Sequence, residues 1–213
     1  MTDDLSEAAL LDRYRSGDTG AFEALVRRHQ GPLLRHAESL LGAGSLAEDA
    51  VQEAFLKLAQ QPPALPPEVA GDPAAARSAL SSWLHAVTRN FCMDLFRSES
   101  RRKRRELEVA PGEAAGGGLE TVELDDTREA VTRSLERLPI DQREVLVLRL
   151  FGEKSYKEIA AITGKKIGTV GWLVSVGLKA LASELAPLIG DAPGEGSNAP
   201  GLAPGLIRGG ELS

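Results

Sequence analysis

The sequence predicts an all-α protein made of two small helical domains joined by a flexible linker. Aromatic residues make up only 4% of the 213 residues, whereas Leu, Val and Ala are plentiful, and aliphatic cores of this kind suit helices better than sandwiches. Apolar residues recur at three- and four-residue steps in several segments, which is typical of amphipathic helices. An acidic, glycine-rich segment at 106–126 separates these segments into two groups.

The first group, a domain at 5–105, is predicted to contain four helices. The first runs from Leu5 to Arg15, and the second runs from about Thr19 to Leu41 behind Asp18 as its N-cap. Proline removes a backbone donor, so we expect Pro32 to kink or divide the second helix.

The third and fourth helices flank a proline-rich segment. Ser45 and Glu48 form a capping-box pattern that opens the third helix, which continues to about Gln60. Five prolines lie between residues 61 and 76, so this segment is predicted to be an exposed loop. The fourth helix is predicted from about Ala79 to Glu106. The expected buried positions of the two helices are Val51, Phe55, Leu58, Leu80, Leu84, Val87, Phe91 and Leu95.

The second group, a domain at 127–186, is predicted to hold two helices followed by a helix-turn-helix. The two helices run from about Thr127 to Arg137 and from Pro139 to near Gly152. The chain from 187 to 213 is rich in Gly and Pro without periodicity, so it is predicted to be a disordered tail.

The helix-turn-helix is the most informative motif of the chain. Ser155 and Glu158 form a capping box, and the helix that they open ends at Gly164. A second apolar series follows, made of Ile167, Val170, Val174, Leu178 and Leu181. Two short helices joined by a glycine turn fit the major groove of DNA. An ordinary packed helical hairpin is the alternative.

Charge is segregated along the chain, although the net charge of −6 is unusual for a nucleic-acid-binding protein. The segment from His85 to Arg105 has seven Arg or Lys against two acids, and the segment from Glu106 to Ala130 has eight acids against one Arg. The basic segment is therefore suited to phosphate, and the acidic segment can shield it until a partner displaces it. A solvated, frayed helix end is the alternative for the basic cluster at 101–105.

Several classes of protein have no support in the residues. No apolar run reaches the roughly 18 residues of a membrane span and no basic leader precedes one, so we expect no membrane span and a cytoplasmic location. Cys92 is expected to be a small buried side chain rather than a redox sensor. His29, His36 and His85 lack a second ligand at metal spacing, and no phosphate loop or nucleophile motif occurs. We therefore expect no metal, no cofactor and no enzymatic activity.

Five blocks in order resemble the two conserved domains of the extracytoplasmic-function (ECF) group of bacterial sigma factors. The blocks are "AFEALVRRHQ" from Ala21, "AEDAVQEAFLKL" from Ala47, "WLHAVTRNFCMDLFR" from Trp83, "LPIDQREVLVLRLF" from Leu138 and "SYKEIAAITGKKIGTV" from Ser155. The resemblance implies that domain 5–105 binds core RNA polymerase and the minus-ten element. It likewise implies that domain 127–186 binds the minus-thirty-five element, and that an anti-sigma factor is a partner.

The resemblance also implies a polymerase-docking face on the third helix. Asp49, Gln52 and Glu53 are spaced so that they share one helical face. They match family positions that dock on the clamp coiled coil of the β′ subunit of the polymerase. A solvated polar face is the alternative.

The fourth helix carries the residues that the resemblance assigns to the minus-ten element. Asn90 matches the position that helps hold a flipped base, because an amide offers a donor and an acceptor to a base edge. Asp94 is expected to orient Arg97, and Trp83 is expected to lie in the core, with stacking on a base as the alternative. The basic residues expected to hold the backbone of the opened strand are Arg97, Arg101, Arg102, Lys103 and Arg104.

The second helix of the helix-turn-helix departs from the family. After "GTV" the family usually has basic residues at three nearby positions, whereas this chain continues with Gly171, Trp172 and Leu173. The remaining candidates for contact with the minus-thirty-five element are Lys165, Lys166, Thr169, Trp172, Ser175 and Lys179. We expect weak or unusual duplex binding, and the apolar strip could instead face an anti-sigma factor or the tail.

The alternative function is that of a conventional transcription regulator with an amino-terminal sensor domain. Such a protein binds an operator tightly without polymerase. This interpretation leaves the face of Asp49 and the basic fourth helix without a role.

Overall fold

The computed structural model describes residues 4–109 and 126–189, and the backbone of these ranges forms helices without any strand. The helices in chain order are α1 (Glu7–Arg15), α2 (Thr19–Leu41), α3 (Ser45–Gln60), α4 (Pro67–Ala70), α5 (Pro73–Val109), α6 (Asp126–Arg137), α7 (Ile140–Leu150), α8 (Tyr156–Thr163) and α9 (Ile167–Ile189). The predicted all-α fold class is confirmed. The side chains of residues 99–130 lie outside the described part of the chain.

Helices α1–α5 enclose one hydrophobic core, and we call them the first unit. Leu25, Leu58 and Leu84 are fully buried there, as their helical spacing predicts. Trp83 is half-buried and packs against this core, which supports the core interpretation of that side chain. Cys92 is buried, and burial raises the pKa of its thiol to about 12, so the thiol is unreactive.

Two of the predicted local features in the first unit are wrong. Ser45 is the first helical residue of α3 and makes no capping bond, because Gly44 takes the N-cap position with a φ of 134° that favours glycine. Pro32 does not divide α2, which is continuous from Thr19 to Leu41. The burial of Leu33 and Ala37 on α2 holds the part after the proline against the core.

The proline-rich segment is also more ordered than predicted. It contains the short helix α4, and α5 begins at Pro73, ahead of the expected start at Ala79. Pro67 and Pro73 each occupy the first position of a helix, where the missing N–H has no intrahelical partner to lose. Leu65 packs against the core, so the segment is partly covered.

Helices α6–α9 enclose a separate core, and we call them the second unit. The capping box of α8 is present in full, with Ser155 and Glu158 satisfying each other's backbone amides, and Gly164 ends the helix with a φ of 72°. A Cβ at Gly177 would lie 2.9 Å from Leu146, so this glycine allows α9 to approach α7 closely. The helix α9 continues to Ile189, past the predicted end at 186, and residues 190–213 lie outside the described part.

The two units pack directly on each other. Helix α7 lies against α2, and α8 lies against α5. The predicted linker is described only at its ends, where α5 reaches Val109 and α6 begins at Asp126.

Candidate functional site: a polymerase and nucleic-acid interface

Helix α5 presents three different faces, because 3.6 residues complete one helical turn. One face is in the core of the first unit. A second face carries Asn90, Asp94 and Arg97, all of which are exposed. A third face turns towards the second unit, and it carries Ser78, Ser82, His85 and Arg89. The residues predicted to contact the minus-ten element therefore remain accessible while the two units are packed together.

The exposed face of α5 combines an amide with an oriented cation. The Arg97 guanidinium donates to the Asp94 carboxylate at 3.0 Å, as the sequence predicts, and both side chains are largely exposed. Asn90 is exposed four residues before Asp94. The predicted phosphate-binding residues Arg101, Arg102, Lys103 and Arg104 lie on the same helix, but their side chains are outside the described part.

The predicted docking face of α3 is exposed in full. Asp49, Gln52 and Glu53 all face solvent. Leu56, which sequence reasoning missed, follows them on the same face and is 51% exposed. The signal for it was available, because Leu56 continues the spacing of Gln52 and Glu53 by one helical turn. An exposed apolar side chain beside acidic and amide groups is suited to a protein partner.

The predicted DNA-contacting side chains of α9 are also on the surface. Trp172 is 61% exposed, and Thr169, Ser175, Lys166 and Lys179 are exposed. The Lys165 ammonium is held by the Asp141 carboxylate at 2.9 Å within the same unit. This helix therefore offers mainly Trp172 and hydroxyl groups, together with few free cations.

Sequence reasoning missed a buried polar cluster between the two units. Arg89 Nε donates to Glu144 Oε1 at 2.7 Å, and His36 Nε2 lies 3.5 Å from the same oxygen. The Nδ1 atoms of His36 and His85 are 3.1 Å apart. Glu144 is 2% exposed, although it lies in the apolar run of α7, and that position in the sequence was the available signal.

The ionisation of this cluster follows from its contacts. Burial opposes the charge on Glu144, but contact with His36 and with the Arg89 guanidinium outweighs it and lowers the pKa of the carboxyl. Burial, together with the nearby His36 and Lys154, holds the pKa of His85 well below its ordinary value, so His85 is neutral. A bond between two imidazoles needs one acceptor nitrogen, which a neutral ring provides.

Glu158 makes a second contact between the units. Its carboxylate accepts hydrogen bonds from Ser78 and from Ser82, the latter at 2.9 Å, while it also completes the capping box with Ser155. Partial burial raises the pKa of Glu158, but these hydrogen bonds outweigh burial and lower the pKa to about 2. The carboxylate is therefore charged at neutral pH.

Comparison with known proteins assigns the two units to one family. Residues 25–102 match the family described as Sigma-70 region 2, and residues 128–181 match Sigma-70, region 4. The chain is 36% identical over 146 residues to the ECF RNA polymerase sigma factor EcfG of Rhodopseudomonas palustris, covering 65% of this chain and 71% of that protein. This chain belongs to the ECF sigma factors. It is an alternative sigma factor that directs transcription initiation.

Other relatives of this sigma factor agree with the assignment. The ECF RNA polymerase sigma-E factor of Escherichia coli K12 is 29% identical over 199 residues, which cover 89% of this chain and 99% of that protein. The sigma factor RpoE of Bartonella quintana, solved with the anti-sigma factor NepR, has a TM-score of 0.58 at 25% identity and covers 78% of this chain and 96% of that one. CnrH, with a TM-score of 0.54 at 22% identity over 87% of this chain and 99% of that one, shares the fold.

One helix of the sigma factor is apolar enough to cross a membrane by length and composition. This segment is Ile167–Ala186 in α9, with a mean hydropathy of 1.2. Its residues Val170, Val174 and Leu181 are buried in the core of the second unit. The apolar composition is thus explained by packing, and it is not evidence for a membrane span. Within the described residues, no group of three or more His, Cys, Asp or Glu is placed to hold a metal ion.

Proposed function

We propose that this sigma factor docks on core RNA polymerase through α3, opens promoter DNA with the exposed face of α5, and makes only a weak minus-thirty-five contact through α9. The proposed domains are 5–105 for polymerase and the minus-ten element, and 127–186 for the minus-thirty-five element. The observation that carries the proposal is the simultaneous exposure of two polar faces, on α3 and α5, within the segment that matches region 2.

The docking role of α3 is supported by its surface chemistry. Asp49, Gln52 and Glu53 are exposed, and no resolved ion pair within the chain uses either carboxylate. Charged and amide groups of this kind steer association and fix orientation. Leu56 adds apolar area that would be removed from water in a complex, and this area contributes affinity. The proposed partner surface is the clamp coiled coil of the β′ subunit.

Replacing the three polar docking residues tests this role. The triple variant D49A/Q52A/E53A is expected to bind core polymerase at least tenfold more weakly, with unchanged helicity, in a fluorescence titration. The matched control is D12A/E23A/Q30A, which removes the same residue types from exposed positions of α1 and α2. Equal affinity of the two triple variants would exclude α3 as the docking face.

The role of α5 is supported by the combination of Asn90 with oriented Arg97. An amide can read the edge of a flipped base, and guanidinium groups hold a single-strand backbone. Arg101, Arg102, Lys103 and Arg104 extend the positive charge along the same helix. We propose that Asn90 contacts a base and that the arginines contact phosphates.

The anti-sigma partner and the cellular location are also proposals. The sigma factor RpoE of Bartonella quintana was solved in complex with an anti-sigma factor, and it shares the fold of this chain. The exposed strip on α9, with Ile167, Trp172 and Leu178, gives such a partner an apolar surface. A protein that acts on the polymerase works in the cytoplasm.

A further inference from the structure

We propose that the contact between the two units is a latch that closes the free sigma factor, and that the latch must release before the chain can span a promoter. The proposal rests on the proposed function of the two units. It concerns Glu144 at the centre of the contact, and it gives this buried carboxylate a regulatory role.

The contact is built mainly from charged and polar groups. Arg89 and His36 of the first unit converge on Glu144, and Ser78 and Ser82 converge on Glu158. The Arg35 guanidinium lies 5.5 Å from the centre of the Phe151 ring, which adds a cation–π contact between the units. Contacts between domains that are this polar resemble transient interfaces, so relative motion of the units is the expectation.

Close approach at the latch has its own sequence requirement. A Cβ at Gly152 would lie 2.8 Å from the Leu148 carbonyl oxygen and 3.4 Å from His85 Nε2. Glycine at this position lets the segment between α7 and α8 lie against α5. The next residue, Glu153, has a φ of 55°, which is uncommon for a residue other than glycine. The backbone here is therefore shaped to fit the first unit.

Promoter geometry requires the latch to open. The minus-ten and minus-thirty-five elements are centred about 25 base pairs apart, which is about 85 Å along B-form DNA. A compact body of the size of the two packed units has a radius of gyration of about 15 Å, hence a diameter of roughly 40 Å. The closed chain therefore cannot reach both elements at once.

Release also frees a cation beside the proposed base contact. Arg89 is the residue immediately before Asn90, and its guanidinium is held by Glu144 in the closed chain. Carboxylate and phosphate oxygens offer similar partners to a guanidinium. Glu144 therefore holds Arg89 as a DNA phosphate would, and opening exchanges one anion for the other.

The test measures opening in the full chain by energy transfer between two dyes. Dyes are attached to cysteines at the exposed positions Gln60 and Ala161, one in each unit, and the buried Cys92 stays unlabelled. In the parent we expect a compact state that separates when core polymerase and a duplex carrying both elements are added. In E144Q, the open fraction of the free chain is expected to rise at least tenfold, since one charge of a buried pair is lost. In S78A/S82A a smaller rise of two- to fivefold is expected.

The control is E184Q, which removes an exposed partner of Arg137 inside the second unit and leaves the latch intact. It is expected to behave like the parent. Circular dichroism identifies any variant that fails to fold, and S78A/S82A tests the latch without a buried charge. If both latch variants remain as closed as E184Q, the latch proposal is wrong, whatever the polymerase does. If they open but none of the chains binds core polymerase, the latch stands and the proposed docking function fails.

Discussion

At the scale of single residues, Arg89 and Asn90 are neighbours in the chain but belong to different surfaces. Arg89 is directed to Glu144 of the second unit, whereas Asn90 is exposed on the face of Asp94 and Arg97. A turn of about 100° between successive helical residues separates the two roles. Substitutions at the two positions are therefore expected to have different consequences.

The variant N90A is expected to reduce open-complex formation on a cognate promoter by about tenfold, because an alanine cannot hold a base edge, a contact worth about 1–3 kcal/mol. Its affinity for core polymerase is expected to stay within twofold of the parent. The control is Q30A, which removes an exposed amide from α2. Permanganate footprinting of the opened strand gives the measurement, and normal opening by N90A would contradict the role of this residue.

The stability of the protein is expected to fall in mild acid because of His29. Burial, followed by the charges of Arg77, Lys154 and Arg28, lowers the pKa of His29 to about 4. The unfolded chain takes up this proton near the ordinary pKa of 6.5, so the stability that the neutral ring confers is complete above pH 6.5 and is lost as the pH falls towards 4. One such group changes the free energy of unfolding by at most about 1.4 kcal/mol per pH unit.

Urea unfolding at several values between pH 7.5 and pH 4.5 measures this effect. In H29Q, the free energy of unfolding is expected to change less steeply with pH than in the parent. His85 has its pKa lowered in the same direction, so some pH dependence should remain. An unchanged slope in H29Q would show that His29 is not the group that takes up the proton.

At the scale of helices, periodicity and capping chemistry predicted where most elements lie. The α8 capping box and the Gly164 turn were predictable, because each depends on residues within one helical turn. The pattern at Ser45 was misleading, since Gly44 before it could take the N-cap position. The cluster of His36, His85 and Glu144 could not be predicted, because it depends on how two units pack and no local spacing encodes that.

The second unit tests a claim about one helix, α9. Its exposed face lacks basic residues around Trp172, and each phosphate contact contributes about one unit to the salt slope. The second unit, residues 127–186 within the full chain, is therefore expected to bind minus-thirty-five duplexes weakly, and G171R/V176R is expected to strengthen binding broadly. A Cβ at Gly171 would lie 3.6 Å from the Tyr156 ring, which leaves room for the side chain.

The matched control adds two arginines at the exposed positions Ala182 and Ser183, farther along α9. It carries the same added charge away from the proposed contact. Binding to duplex DNA is measured over a range of salt concentrations. Recovery of a tight, sequence-specific duplex by the parent chain, from a random pool, would contradict the expectation of weak binding and would assign the reading of bases to Trp172 and Ser175.

At the scale of the whole molecule, two compact helical units each present an exposed polar surface and share a polar contact with each other. The first unit combines the faces of α3 and α5, so docking and DNA opening are assigned to one rigid body. The second unit adds a weak contact and, through Glu144 and Glu158, holds the first unit in the closed arrangement. Promoter choice is then expected to depend mainly on the minus-ten element.

Transcription from a genomic library with purified core polymerase tests the central claim most directly. The parent chain is expected to direct initiation at a defined set of start sites, with D49A/Q52A/E53A reduced at least tenfold and D12A/E23A/Q30A unaffected. The aligned start regions are expected to share a minus-ten element more strongly than a minus-thirty-five element. Tight binding of the chain to an operator without polymerase, together with no initiation when polymerase is added, would contradict the account.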